Sequence, residues 1–178
     1  AGKIHWQDHD ITDTQPGVRP ISMLFQDNNL FPHLSLARNV GLGLRPAWRL
    51  SVPENQRVAD ALARVGLDGM ETRKPGDLSG GQQSRAALAR VLVQDRPLVL
   101  LEEPFAALGP ALRREMLDLV SDLIGETEAT LLMVTHAPED VERSADDVIF
   151  VEGGQAHAPE PAAALMKNPP PALRAYLG

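Results

Sequence analysis

Three short apolar runs each stop dead at a polar residue: "ISMLF" (Ile21 to Phe25) at Gln26, "LVLL" (Leu98 to Leu101) at Glu102 and Glu103, and "ATLLMVT" (Ala129 to Thr135) at His136. Runs this short and this apolar predict buried strands. The segments between them carry a different period. Val58, Ala61, Leu62 and Val65 fall at i, i+3, i+4 and i+7 ahead of Gly66, and Leu112, Met116, Leu119, Val120 and Leu123 share one face of a later segment. Strands alternating with amphipathic helices imply an α/β fold with a mostly parallel sheet. In such sheets ligands gather beyond the carboxyl ends of the strands. Gln26, Glu102, Glu103 and His136 therefore become candidate site residues by position alone.

The remaining elements follow from local signals. Ile4 to Trp6 predicts a short strand, and "SLARNVGLGL" from Ser35 a short helix weakened by Gly41 and Gly43. Pro46 and Pro53 should bracket a loop, with a helix from Glu54 to Gly66 behind it. Ser79 is placed to cap an Ala- and Leu-rich helix running from about Gly80 to Gln94. "DVIFVEGGQAHA" predicts a strand, a Gly-Gly turn and a second short strand, and the Pro- and Ala-rich tail from Pro159 leaves room for one or two short helices. Aromatics make up only 4% of a chain that is 43% hydrophobic, so its core must be aliphatic, which suits helices packed on a sheet.

Composition also narrows the function. Twenty-four acidic residues against seventeen basic ones give a net charge of −7, the wrong sign for gripping a phosphate backbone, so nucleic acid is not expected as a partner. With no cysteine there is neither a disulfide framework nor a thiolate metal site. No apolar run is long enough to cross a bilayer, and "AGKIHWQDHD" has no signal-peptide core. A cytoplasmic chain is expected, one that could still dock on a membrane protein.

"LSGGQ", Leu78 to Gln82, is the most specific motif. Gly80 and Gly81 let a ligand approach the backbone, Ser79 supplies a hydroxyl, and the helix start points N–H groups and the positive end of its dipole outward. Such a site suits a phosphate. The same residues also suit a plain capped helix with a flexible start.

With the helix "SRAALARVLV" behind this pentapeptide, the chain resembles the ATP-binding subunits of ABC transporters from Gly2 to about Ala158. The resemblance implies a partial P-loop NTPase-like domain over residues 1–158, with a helical signature subdomain at about 33–95 and a C-terminal helical tail at 159–178. It implies ATP and Mg²⁺ as cofactors. Gln26 matches the Q-loop glutamine, which touches metal and water; position 102 matches the Walker B residue that holds Mg²⁺ through water; Glu103 matches the carboxylate that polarises the attacking water. His136 matches the switch histidine at the γ-phosphate, Ser79, Gly80, Gly81 and Gln82 the signature, and Phe105 to Gly109 the D-loop. "RPISMLFQDNNLFPHLSLARNVGLGL" and "TLLMVTH" are similar to the ATPase subunits of bacterial thiamine importers, while those for spermidine, iron, sulfate or molybdate share most of the frame. Such subunits form homodimers that sandwich ATP, receive a transmembrane permease beside the Q-loop, meet a periplasmic substrate-binding protein only indirectly, and sit on the inner face of the cell membrane.

The sequence also departs from that pattern. The P-loop, G-x-x-x-x-G-K followed by Ser or Thr, has no match, because Lys3, Lys74 and Lys167 precede Ile4, Pro75 and Asn168. The aromatic adenine-stacking segment has none either, so the chain resembles the C-terminal two-thirds of such a subunit. Glu102 stands where the family has aspartate, Gly109 where it has aspartate, and Gln83 where a basic residue is common. Without the P-loop strand the sheet should carry a gap and exposed apolar surface, leaving a chain that is marginally stable and impaired in hydrolysis alone. The alternative reading is a non-catalytic module that docks on a permease or on an intact ATPase.

Overall fold

The computed structural model describes residues 2–46 and 49–177, so the loop expected between Pro46 and Pro53 lies partly outside the described residues. At the N-terminus β1 (His5–Trp6) and β2 (His9–Asp10) make a small antiparallel hairpin. β3 (Ile21–Leu24) leads into α1 (Leu36–Gly41), α2 (Val52–Arg64) and α3 (Gly80–Leu92). Then come β4 (Leu98–Glu102), α4 (Pro110–Gly125), β5 (Thr130–Val134) and α5 (Pro138–Ser144). The C-terminal part holds β6 (Asp147–Val148), β7 (Val151–Glu152), β8 (Gln155–Ala156), β9 (Glu160–Pro161), α6 (Ala162–Lys167) and α7 (Pro171–Leu177).

The three apolar runs form one parallel sheet in the order β3-β4-β5. Leu24 lies opposite Leu101, Leu101 opposite Met133, and Glu102 opposite Val134. Because the pleat alternates, Leu24, Val99, Leu101, Leu131 and Met133 share the face that packs on the core. That core continues through Leu36 and Val40 of α1, Val58 and Leu62 of α2, Ala86 to Ala89 of α3, and Met116, Leu117, Val120 and Leu123 of α4. The opposite face is covered less: Met23 is 41% exposed, Leu132 46% and Val134 58%. Apolar side chains are therefore exposed on that face of the sheet.

Several boundaries shift for identifiable reasons. β3 ends at Leu24, one residue short of the expected Phe25, while β4 takes in Glu102 as its last residue. α2 begins at Val52 because Ser51 caps it in a reciprocal box with Glu54, so Pro53 sits in the first helical turn, where its missing N–H is no loss. α3 stops at Leu92, two residues before the expected Gln94. In the C-terminal part the Gly153–Gly154 turn, with φ of 57° and 78°, joins β7 to β8 as expected. Asp147–Val148 does not join that hairpin; it pairs with Glu160–Pro161. The tail carries both short helices and buries Ala162 and Leu165.

Candidate functional site

Parallel register brings the three strand ends to one edge of the sheet. Glu103 follows β4 directly, and its backbone N–H donates to the Val134 carbonyl at 2.9 Å, which ties the two strand ends together. The chain then turns sharply: Glu103 has φ of 42°, a left-handed conformation unusual for a side chain with a Cβ, and buried Pro104 and Phe105 anchor the turn behind it. The half-buried Glu103 carboxylate meets the exposed His136 ring, Nδ1 to Oε1, at 2.9 Å. The ring nitrogen Nδ1 therefore faces the carboxylate. A carboxylate fixed in this way, open on its other side, can polarise a water molecule.

Gln26 and Glu102 lie on the same sheet edge, both exposed. Neither shares a hydrogen bond or ion pair with Glu103 or His136 among the described residues. Among those residues no group of three or more carboxylates or imidazoles could hold a metal by itself. A phosphate-bound Mg²⁺ needs only one or two carboxylates beside the phosphates and water, and Glu102, exposed at a strand end, fits that demand.

The loop behind Gln26 is held from α3. Arg90 donates to the carbonyls of Asn28 at 2.8 Å and Asn29 at 2.6 Å, and the Asn28 amide donates to the Ser84 hydroxyl at 3.3 Å. Both asparagines have positive φ, 56° and 47°, which that residue type tolerates better than most. Burial lowers the Arg90 pKa, so the carbonyl contacts are what hold the charged head in place. Asn39, fully buried, accepts from the Phe31 N–H at 2.7 Å and donates to the carbonyls of Phe31, Leu34 and Ser35, fixing the next bend. Sequence reasoning missed Arg90 and Ser84, because a polar residue on a helix carries no local sign of a partner some sixty positions away, and Asn39, because its nearby backbone partners depend on how the loop before α1 bends.

The signature residues sit at the start of α3. Ser79 accepts from the Gln82 N–H at 3.3 Å, and the Gln82 side chain accepts from the Ser79 N–H at 3.0 Å, a capping box that satisfies two end-of-helix donors. The two glycines differ. A Cβ on Gly81 would lie 2.5 Å from the end of the Leu112 side chain of α4, which would have to move aside; a Cβ on Gly80 would meet nothing within 4 Å. Gln83 donates to the carbonyls of Pro75 and Leu78 and closes the loop ahead of the helix. Gly109 is the N-cap of α4, with φ of −65° and open space around it. No hydrogen bond or ion pair among the described residues joins Ser79 to Gln82 with Gln26, Glu102, Glu103 or His136.

A second buried group borders His136 and was not anticipated. Asp140 of α5, 3% exposed, receives Arg113 of α4 on both oxygens, at 2.7 and 2.6 Å. Thr135 donates to the same carboxylate at 2.7 Å and accepts from the Ala137 N–H at 3.1 Å. From the tail, the Tyr176 hydroxyl donates to the His136 carbonyl.

The ABC transporter family pattern matches residues 1–106. The chain is 60% identical, over its full length, to the thiamine import ATP-binding protein ThiQ of Ruegeria sp. (strain TM1040), covering 77% of that protein. The chain belongs to the ABC transporter ATPase family. It is also 52% identical over its full length to ThiQ of Brucella suis biovar 1, spanning 74% of that relative. Among solved structures, the ATP-binding cassette MJ0796 in a dimeric post-hydrolysis state bound to ADP and phosphate superposes with a TM-score of 0.76 at 26% identity, over 91% of this chain and 74% of that one. A second dimeric structure of the same cassette gives 0.76 at 27% identity. Membership makes the chain part of an ATP-hydrolysing transporter subunit, of a class that binds ATP with Mg²⁺ and works as dimers with a transmembrane permease. No described helix is long and apolar enough to cross a membrane.

Proposed function

We propose that this chain is the energy-coupling ATPase of an ABC importer whose cargo is thiamine. The observation that carries the cargo is the 60% identity to a thiamine import ATP-binding protein across the whole chain. In this reading Glu103 polarises the attacking water, and His136 steadies that carboxylate through Nδ1 while its other nitrogen reaches the γ-phosphate. Glu102, one methylene longer than the family's aspartate, would hold Mg²⁺ through water, and Gln26 would touch metal and water. When bound, the metal supplies charge neutralisation across the β- and γ-phosphates. Ser79, Gly80, Gly81 and Gln82, with Gly109, face the nucleotide of the second subunit; the open space at Gly80 supports this, since nothing within the chain requires a glycine there. Residues 27–53 receive the permease, residues 1–158 with their helical part at about 33–95 act as the ATPase domain, and 159–178 as its tail. The assembly then sits on the inner face of the cell membrane, with the periplasmic binding protein acting through the permease.

The alternative reading is a docking module without turnover of its own. Labelled ATP titrated into the purified chain with and without Mg²⁺ separates the two. Micromolar, Mg²⁺-dependent binding is expected of the ATPase; millimolar or no binding identifies the module. The cargo is tested by reconstituting the chain, completed with a relative's P-loop segment, with the permease and binding protein of a ThiQ system. ATP turnover should respond to thiamine and stay flat with spermidine or sulfate; the reverse response rules thiamine out.

A further inference from the structure

We propose that Arg113, Asp140 and Thr135 are positioning residues that hold His136 on Glu103, and so tie the hydrolytic pair to the helix that begins at Gly109. This rests on the reading of Glu103 and His136 as the hydrolytic pair. The His136 side chain is 61% exposed and meets Glu103 Oε1 at 2.9 Å, while its carbonyl accepts from the exposed Tyr176 hydroxyl. Exposed contacts of this kind are too weak to fix a loop by themselves. The restraint lies in the residues on either side. Thr135 uses its hydroxyl three times, donating to Asp140 Oδ2 at 2.7 Å and accepting from the Ala137 N–H at 3.1 Å and from Arg113 Nη2 at 3.4 Å, so the backbone is pinned immediately before and immediately after His136.

Asp140 gives that pin a rigid base. Its carboxylate is gripped by the planar Arg113 fork, Nε on one oxygen and Nη2 on the other, which fixes the plane of the acceptor that Thr135 must meet. A buried ion pair is a weak device for stability alone, since well-packed apolar groups hold two helices at least as well. What it adds is direction. Arg113 lies in the first turn of α4, whose N-cap is Gly109, so the helix start at the D-loop and the turn carrying His136 share one hydrogen-bonded unit.

The test reads geometry, not turnover. In the ¹⁵N-labelled chain at pH 8, long-range NMR should show the His136 proton on Nδ1, and the Ala137 amide should be protected from exchange. Thr135→Val, nearly isosteric, is expected to mix the two tautomers and speed Ala137 exchange by about tenfold or more, while amides of α3 keep their protection. Thr135→Ser should restore both signals. Arg113→Lys, which keeps the charge and loses the fork, should act like the valine variant. Unchanged His136 signals in Thr135→Val and Arg113→Lys overturn the proposal, as does loss of protection across the whole chain, which would mark the group as a stability device. ATP turnover of His136→Ala in the P-loop-completed protein tests the hydrolytic reading separately, because that assay can fail while the NMR result stands.

Discussion

Glu103 carries two demands that conflict. In the proposed hydrolytic role its carboxylate is needed beside His136, yet its backbone is held at φ of 42°, where a side chain costs about 1–2 kcal/mol. Glu103→Gly should therefore be more stable than Glu103→Ala by about 1 kcal/mol, the reverse of the order at an ordinary position. Thermal melts of the two variants check this; alanine at or above glycine would mean the turn is not strained. At this scale the sequence announced positions but not contacts. Gln26, Glu102, Glu103 and His136 stood out because an apolar run stops at each, and parallel pairing brings such stops to one edge. The left-handed turn and the Glu103–His136 bond did not stand out, since both depend on how β4 and β5 are staggered and on Phe105 being buried below.

The start of α2 shows how an element can be read correctly in kind and wrongly in extent. The apolar spacing from Val58 to Val65 revealed a helix, but Pro53 suggested a loop, and the Ser51–Glu54 box moved the start to Val52. α5 escaped notice because "PEDVERS" offers one apolar residue and is held by Asp140, a polar anchor that periodicity cannot detect. Ser51→Ala should destabilise the protein by about 1 kcal/mol, measured by denaturant unfolding. Glu54 adds a pH dependence. Its carboxylate accepts from Arg45 and from the backbone and hydroxyl of Ser51, which holds its pKa well below the ordinary glutamate range. A pKa depressed on folding contributes stability that is present above the unfolded value, near about 4.3, and lost as pH falls through the folded value. Melting temperature between pH 7 and pH 2 should fall more steeply in the natural sequence than in Glu54→Gln, and parallel curves would show that the pair contributes nothing.

Among the described residues the sheet is covered better on one face than on the other. An apolar run such as "TLLMV" signals a buried strand, yet it cannot say whether one face or both will be covered, because that depends on elements elsewhere in the fold. Here Leu131 and Met133 pack on the core while Leu132 and Val134 stay exposed, and β5 pairs with β4 alone, leaving its outer edge without a strand neighbour among the described residues. The strand holds neither a charge nor a proline to discourage a second chain. The isolated chain should therefore self-associate as its concentration rises, visible by light scattering. Leu132→Glu places a charge on the exposed face and should suppress association with little change in melting temperature. Leu131→Glu, one residue away, turns the same charge onto the core face and should unfold the chain, because a single step along a strand exchanges the two faces. Association that survives Leu132→Glu would place the contact elsewhere, and equal melting of the two variants would mean that the faces are not distinguished as described.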